Sequence, residues 1–354
     1  MATIRKKGNK WQAMIRRKGW PYQTGSFRTK AEADSWSRDI ESKMDRGYFL
    51  DQSHAKSTTF AELIEIYLTE VTAKRPTEKS RVSESSRLKR IMRQEPILCS
   101  LTIDKLKPDH FEDYRDRRLR EYSRSKKLVN GKRATIAPGT VKRELTTLKR
   151  VIDHKKRKLG LLINPVNAED VKRPTVNDER DVRLSPEERQ RLMEACYNMK
   201  NRLIGPFVDI GFETGARQGN LLRLKWDDVD LEAHTALLRG IKNSRNPHKI
   251  INHEIGLTPK AVDVLNGLQT TSDQIFPMTA NAFRLSFNRA RKTVGLEHFR
   301  FHDTRHELIS SLFEAGWTMM QVMAQTGHRD PKSVKRYTNL QGNFLAKKLA
   351  DLAA

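Results

Sequence analysis

Residues 301–310 read FHDTRHELIS, a run with more charged and titratable side chains than a packing helix needs. His302, Asp303, Thr304, Arg305 and His306 stand side by side, and Leu308, Ile309 and Leu312 follow. The apolar residues recur at helical spacing, so the stretch reads as the first turns of a buried helix. Asp303 and Thr304 near its start can cap it. His302 and Arg305 are i and i+3 and are expected on one face. A cationic cluster set against a core points to an anion held there.

Charge over the whole chain points the same way. The 354 residues contain 68 Lys and Arg against 43 Asp and Glu, a net charge of +25 at pH 7. A surplus of that size favours a polyanionic partner, above all nucleic acid. The two cysteines, Cys99 and Cys196, are far apart and offer neither a disulfide framework nor a zinc knuckle. No apolar run approaches a membrane span, and the first residues form no apolar signal segment. The expectation is a soluble, cytoplasmic protein with no membrane partner.

Patterning divides the chain into three expected domains. Residues 1–50 open with IRKKGNKWQAMIRRKGWPYQTGSF, where basic residues alternate with apolar and aromatic ones between Gly8, Gly19, Pro21 and Gly25. Period two with turn residues predicts a small three-stranded antiparallel sheet. A helix with Thr29 as N-cap follows it. Arg5, Lys7, Lys10, Arg16, Arg17 and Lys18 on such a sheet could lie in a DNA groove. From 57 to 165 the reading is helical: Phe60, Leu63, Ile64, Tyr67, Leu68 and Val71 share a face, Pro108 opens a helix, and Val141, Leu145, Leu148, Val151 and Ile152 recur at helical intervals. The opposite side of that last helix carries Lys142, Arg143 and Lys149, expected to contact DNA. A basic loop with an Asn-Gly turn interrupts the helices near residue 130. Residues 166–183, with Pro174 and many charges, read as a linker. The third domain, 184–354, starts at a capping box of Ser185, Pro186 and Glu188. The fold class is therefore mainly α and multidomain, with the small N-terminal sheet and an α+β third domain.

Four further pieces of that third domain belong with the opening stretch. In GFETGARQGNLLRL, Arg217 starts a short helix after a glycine turn, where side chain and helix end can both face an anion. TALLRGIKNSRNPHKIIN predicts a hairpin with Lys242 at its edge. TGHRD places His328 after a glycine, before a new helix at Pro331, and KRYTNL places Tyr337 after a basic pair. Two arginines, two histidines, a lysine and a tyrosine can together act on a phosphodiester. The charge on its non-bridging oxygens must be neutralised in the transition state. A planar guanidinium does this best, because it grips two oxygens and stays charged. A tyrosine hydroxyl can then attack to form a phosphotyrosine, and a lysine can protonate the leaving 5′ oxygen. That chemistry needs no metal and no cofactor.

In order and wording these motifs resemble the tyrosine recombinase, or phage integrase, family. TGARQGNLL resembles its first arginine box, FHDTRHELIS its His-x-x-Arg box, TGHRD its third motif and KRYTNL its tyrosine box. The resemblance implies that Arg217 and Arg305 clamp the scissile phosphate, with His328 donating a further hydrogen bond. It makes His302 a general base or positioner, Lys242 the general acid and Tyr337 the nucleophile. Residues 57–165 then resemble a core-binding domain, and residues 1–50 the arm-binding domain of phage-type integrases. The partners implied are double-stranded DNA at core-type and arm-type sites, three further copies in a homotetramer, and DNA-bending accessory proteins. The activity implied is integration or excision of a mobile element, in the bacterial cytoplasm or nucleoid. One departure stands out: Asn220 occupies the position, three after Arg217, where the family usually has a carboxylate. Lys249, on the opposite strand, competes with Lys242 as general acid.

Three other readings are open, one of them a type IB topoisomerase, which shares the chemistry. His302 and His306 are i and i+4, a spacing that can bind zinc, but no HExxH glutamate lies between them. Asn220 leaves room for a catalytically impaired DNA-binding protein or regulator derived from a recombinase.

Overall fold

The structure is a computed structural model and describes residues 2–47, 49–123, 128–129, 131–176, 182–242, 250–268, 271–335, 337 and 350. The chain divides into two compact units, residues 1–178 and 179–354. It is mainly helical, with two three-stranded sheets and one two-stranded ribbon among the described residues.

The first unit opens with the antiparallel sheet β1 (Thr3–Lys7), β2 (Lys10–Ile15) and β3 (Gln23–Phe27), followed by α1 (Lys30–Asp45). Thr29 and Glu32 form a reciprocal capping box at the start of α1. Ala13 and Ile15 of β2 are buried, and Ile15, Met44 and Phe49 form a cluster with Trp20, Trp36 and Ile40. Strand alternation puts Arg5 and Lys7 on the face opposite Ala13. There Arg5 Nε and Nη2 donate to Gln12 Oε1 at 3.2 and 3.1 Å.

A separate core fills the rest of this unit. It is built from α2 (Ser53–Ser57), α3 (Phe60–Tyr67), α4 (Glu78–Gln94), α5 (Pro96–Ser100), α6 (Pro108–Arg120) and α7 (Pro138–Lys155). A π-helical turn, Leu68–Thr72, extends α3. The basic loop forms a short ribbon, β4 (Leu128–Val129) paired with β5 (Lys132–Arg133). The five apolar residues of the predicted α7 stripe are fully buried. The expected linker differs at its start: Val166 and Val171 are fully buried in this core. The reason is local. Asn164 Nδ2 donates to the Lys149 carbonyl and to Asp153 Oδ1, and its Oδ1 accepts from the Val166 backbone N–H at 2.8 Å, which folds the chain back onto α7.

The second unit contains α8 (Pro186–Tyr197), α9 (Ile204–Thr214), α10 (Gln218–Leu221), the sheet β6 (Val229–Asp230), β7 (Thr235–Lys242) and β8 (Ile250–Gly256), then α11 (Pro259–Asn266), α12 (Ala280–Thr293), α13 (Asp303–Glu314), α14 (Met319–Thr326) and α15 (Lys332–Lys335). The Ser185–Glu188 capping box is present. The hairpin is present as β7 and β8, and β6 is a third strand that its two residues were too short to reveal. A large core centres on Phe207, Phe276, Phe283, Phe299 and Phe301. A smaller one joins Ile309, Phe313, Val322, Met323 and Val334. No helix among the described residues is long and apolar enough to cross a membrane.

Candidate active site

Three chain turns build the site. The first ends α9. Gly215 takes φ +60°, and a Cβ there would sit 3.0 Å from Leu308 Cδ2, so a glycine both permits the turn and lets α13 approach. Arg217 follows in extended conformation as the N-cap of α10, with its side chain exposed. The second turn starts α13. Asp303 Oδ2 accepts from the Arg300 backbone N–H at 2.8 Å, and Thr304 Oγ1 donates to the Phe301 carbonyl at 2.8 Å. The third ends α14, where Gly327 takes φ +68° and His328 follows.

Arg305 joins all three. Its side chain is only 3% exposed. Nη1 donates to the Gly215 carbonyl at 2.8 Å, Nη2 donates to the Thr326 carbonyl at 2.5 Å, and Nη2 lies 3.2 Å from the ring nitrogens of His328. Burial, and then the charge of Arg217, push the Arg305 guanidinium down to about 9, while Tyr337 acts in the opposite sense. Arg217, His328 and Tyr337 thus all lie within contact or electrostatic reach of one buried guanidinium. Thr326 Oγ1, 2.7 Å from His328 Nδ1, orients that imidazole.

His302 is at the N-cap position of α13 and exposed, while Arg305 turns inward, so the shared face expected from their spacing is divided. The two carbonyls at Gly215 and Thr326 draw the guanidinium into the fold. The His302 and His306 rings stand perpendicular with centroids 5.2 Å apart, and the His306 centroid is 5.0 Å from that of Tyr337. Tyr337 packs on the smaller core just after α15. Lys242 is the last residue of β7, paired in register with Ile250. The side chain of Lys242, Lys249 and, apart from residue 350, the segment 338–354, whose end the sequence predicts to be a helix that contacts a neighbouring copy, lie outside what the structure describes. Asn220 is 9% exposed, and its Oδ1 accepts from Arg223 Nη2 at 3.0 Å. The amide therefore bonds to a side chain just past the end of its short helix.

Arg217 and His302 line a cleft of about 540 Å³ together with Arg284, Asn288, Arg291 and Arg300. Arg284, Asn288 and Arg291 are i, i+4 and i+7 on α12, a periodicity readable in the sequence but absent from the residues singled out there. Arg291 also holds the backbone carbonyls of Glu297 and Phe299. Among the described residues no group of three or more His, Cys, Asp or Glu is gathered to hold a metal.

In the first unit the expected DNA contacts sort into exposed and engaged side chains. Arg5, Lys7, Lys10 and Lys18 are exposed. Arg16 lies over the Tyr22 ring at 5.2 Å. Arg17 pairs with Asp45 on α1, which directs it to the helix rather than to the open sheet face. Lys142 and Arg143 line a cleft of about 470 Å³ with Arg87, Thr146 and Arg150. Lys149 is half-buried and bonded to Asp153 at 2.5 Å. Arg87 and Arg150 belong to the same cationic surface, and only the packing of α4 against α7 reveals them.

Residues 182–343 match the family described as the phage integrase family. Those residues thus form a domain of that family, and relatives of the chain are named integrases and recombinases. The chain is similar to the shufflon-specific DNA recombinase of Escherichia coli, 32% identical over 251 residues, covering 70% of this chain and 61% of that protein. It is also similar to the integrase of Salmonella phage P22, 26% identical over 189 residues, covering 49% of this chain and 48% of that one. Among solved structures, an integrase of the Tn1549 transposon in complex with a circular intermediate DNA shares the fold, with a TM-score of 0.63 and 16% identity over 83% of this chain and 99% of that one.

Proposed function

We propose that this chain is a site-specific DNA recombinase that works through a 3′-phosphotyrosine at Tyr337 and integrates or excises a mobile element. Arg217 and Arg305 hold the non-bridging oxygens of the scissile phosphate, and His328 adds a hydrogen bond. The Tyr337 oxygen bonds to phosphorus as the bond to the 5′ oxygen breaks. His302 assists or positions loss of the phenol proton, and Lys242 gives a proton to the leaving oxygen. The reverse sequence, with a 5′ hydroxyl from another duplex, rejoins the strand. Exchange between two duplexes cuts four strands, and one Tyr337 per cut calls for four copies of the chain. Residues 1–50 serve arm-type sites and residues 57–165 the core site, where Arg87, Lys142, Arg143 and Arg150 neutralise backbone phosphates.

The observation that supports this reading most is the buried Arg305 fork. It is fixed by two backbone carbonyls beside His328, within the field of Arg217 and Tyr337. Charge stabilisation of this preorganised kind is what a phosphoryl transition state requires. The test is direct. The chain is incubated with sheared DNA from the cells that encode it, SDS-resistant complexes are captured, and the attached DNA is sequenced. The expected result is one recurrent site, with 3′ ends linked to Tyr337. Tyr337→Phe should retain DNA binding and yield no linked DNA. Equal capture by the two proteins would refute the assignment.

A further inference from the structure

The hairpin that ends β7 at Lys242 is fastened to the turn that carries His328, and a few side chains do the fastening. Gln325, the penultimate residue of α14, bonds to both backbone groups of Gly256 on β8: its Oε1 accepts from the Gly256 N–H at 3.0 Å and its Nε2 donates to the Gly256 carbonyl at 2.8 Å. A side-chain amide here takes the place of a neighbouring strand. Three residues back, His253 Nε2 lies 3.4 Å from the Gln325 carbonyl, and the same imidazole is packed against Gly327. A Cβ on Gly327 would come within 3.0 Å of His253 Cδ2, and that φ of +68° already favours glycine. The next carbonyl in the turn, that of Thr326, receives Arg305. A continuous run of contacts therefore leads from β8 through Gln325 and Gly327 to the arginine and histidine proposed to hold the phosphate.

The other end of the hairpin depends on this attachment. His253 faces Leu238 in register, and the pairing shifts between Leu238 and Ile241, where Gly240 has φ +71°. A bulge of this kind re-aims the strand beyond it. The fastened half of the hairpin thus sets the direction in which β7 runs to Lys242.

We infer that Gln325 and His253 are a positioning pair, which locks the β7–β8 hairpin to the His328 turn and so fixes where Lys242 meets the leaving 5′ oxygen. The inference rests on the recombinase reading and on Lys242 as the proton donor. In the step concerned, the Tyr337 phenol gives its proton to His302, the Tyr337 oxygen–phosphorus bond forms, the phosphorus–5′ oxygen bond breaks, and the departing oxygen takes the proton of the Lys242 ammonium. A displacement of about 1 Å in such a donor costs on the order of 10²-fold in rate. Neither Gln325 nor His253 touches the reacting atoms in this account.

The experiment uses the full chain and a synthetic duplex of the captured site, made in two forms. One has the natural 5′ oxygen at the scissile bond. The other has sulfur there, whose thiolate departs without needing a proton. Gln325→Ala, His253→Ala and Lys242→Ala should each form the covalent complex about 10²-fold more slowly than wild type on the oxygen duplex. On the sulfur duplex each should come within a few fold of wild type, with DNA affinity unchanged. Gln325→Glu keeps the acceptor for the Gly256 N–H and loses the donor. It should show a smaller, equally rescued defect, and it carries the test where the alanine variant does not fold. Equal slowing of the Gln325 and His253 variants on both duplexes, no slowing on either, or failure of the sulfur duplex to restore Lys242→Ala would overturn the inference. In each case wild-type cleavage would leave the recombinase reading intact. Absence of a covalent complex with wild type on both duplexes would defeat that reading itself.

Discussion

Arg305 is a guanidinium enclosed at 3% exposure, with the charge of Arg217 acting on it. Burial and a like charge both disfavour the protonated form, and an anion between the two arginines would offset both. Inorganic sulfate or phosphate should therefore raise the melting temperature of the free protein. At ten times its dissociation constant the gain is about 1.4 kcal/mol by linkage. Differential scanning should find that gain largely lost in Arg217→Ala, since one half of the proposed clamp is gone. Arg305→Lys is a second test. An ammonium keeps the charge but cannot hold the Gly215 and Thr326 carbonyls while facing a phosphate with a planar fork. Covalent complex formation should fall by about 10²- to 10³-fold. DNA affinity should hold near wild type, because other cations carry most of the phosphate contacts. Arg217, Arg305, His328 and Tyr337, which the structure brings near one another, could be singled out in the sequence because each sits inside a short run of characteristic residues. Gln325 and His253 could not. Their partners are 69 and 72 residues away, and nothing in QTG or NHE alone foretells that β8 will lie against the end of α14.

Among the elements, α7 is where sequence and structure part most clearly. Its apolar stripe was legible, while its other residues read as one solvated cationic side. Glu144 breaks that picture: it is 1% exposed and ties three helices together. Arg118 of α6 grips it with Nε and Nη2 at 3.1 Å each, Tyr114 donates to it at 2.7 Å, and Arg90 of α4 pairs with it. Ion pairing across 26 and 54 residues depends on which helices pack together, and helical periodicity carries no such information. Burial alone would raise the Glu144 carboxyl, but the hydrogen bonds from Arg118 and Tyr114 outweigh it and hold the group below its ordinary value. A depressed carboxylate contributes stability that is present above its unfolded pKa and lost as pH falls through the folded one. Hydrogen-exchange protection of α7 should therefore weaken as pH drops below the ordinary carboxylate range. Glu144→Gln should lower that protection by about 3 kcal/mol at pH 7, the low end for a broken buried ion pair, because Arg118 loses its buried partner and keeps only the more exposed Glu121. The variant should also lose the part of the acid dependence that Glu144 supplies. Unchanged protection in the variant would mean that the apolar stripe holds α7 by itself.

For the molecule as a whole, the net charge of +25 matters through where the cations can act together. The N-terminal sheet and α1 have a hydrophobic cluster of their own, separate from the helical core that follows in the same compact unit. The passage between them is short and packed. Gly160, with φ +63°, sits so close to the Asp51 carbonyl that a Cβ would fall 2.2 Å from its oxygen, and Gln52 Nε2 donates to the Gly160 carbonyl at 3.4 Å. Gln52 and the Asp51 backbone thus belong with the helices, although the Asp51 side chain also bonds to Gln23 of β3, and a truncation that respects the backbone packing starts at residue 51. Chain 51–354 should fold, with its core of Phe60, Phe111 and Tyr114 undisturbed, and should cleave the captured core site at a rate near that of the full chain. What it should lose is electrostatic. Each phosphate contact withdrawn with Arg5, Lys7, Lys10, Arg16 or Lys18 flattens the slope of log affinity against log salt by about 0.9. Footprints of the full chain should extend over a second, distant sequence that the truncation leaves unprotected. If the two proteins give the same footprint and the same salt slope, the exposed cations of the sheet do not contact DNA, and their surplus serves only to keep the chain soluble.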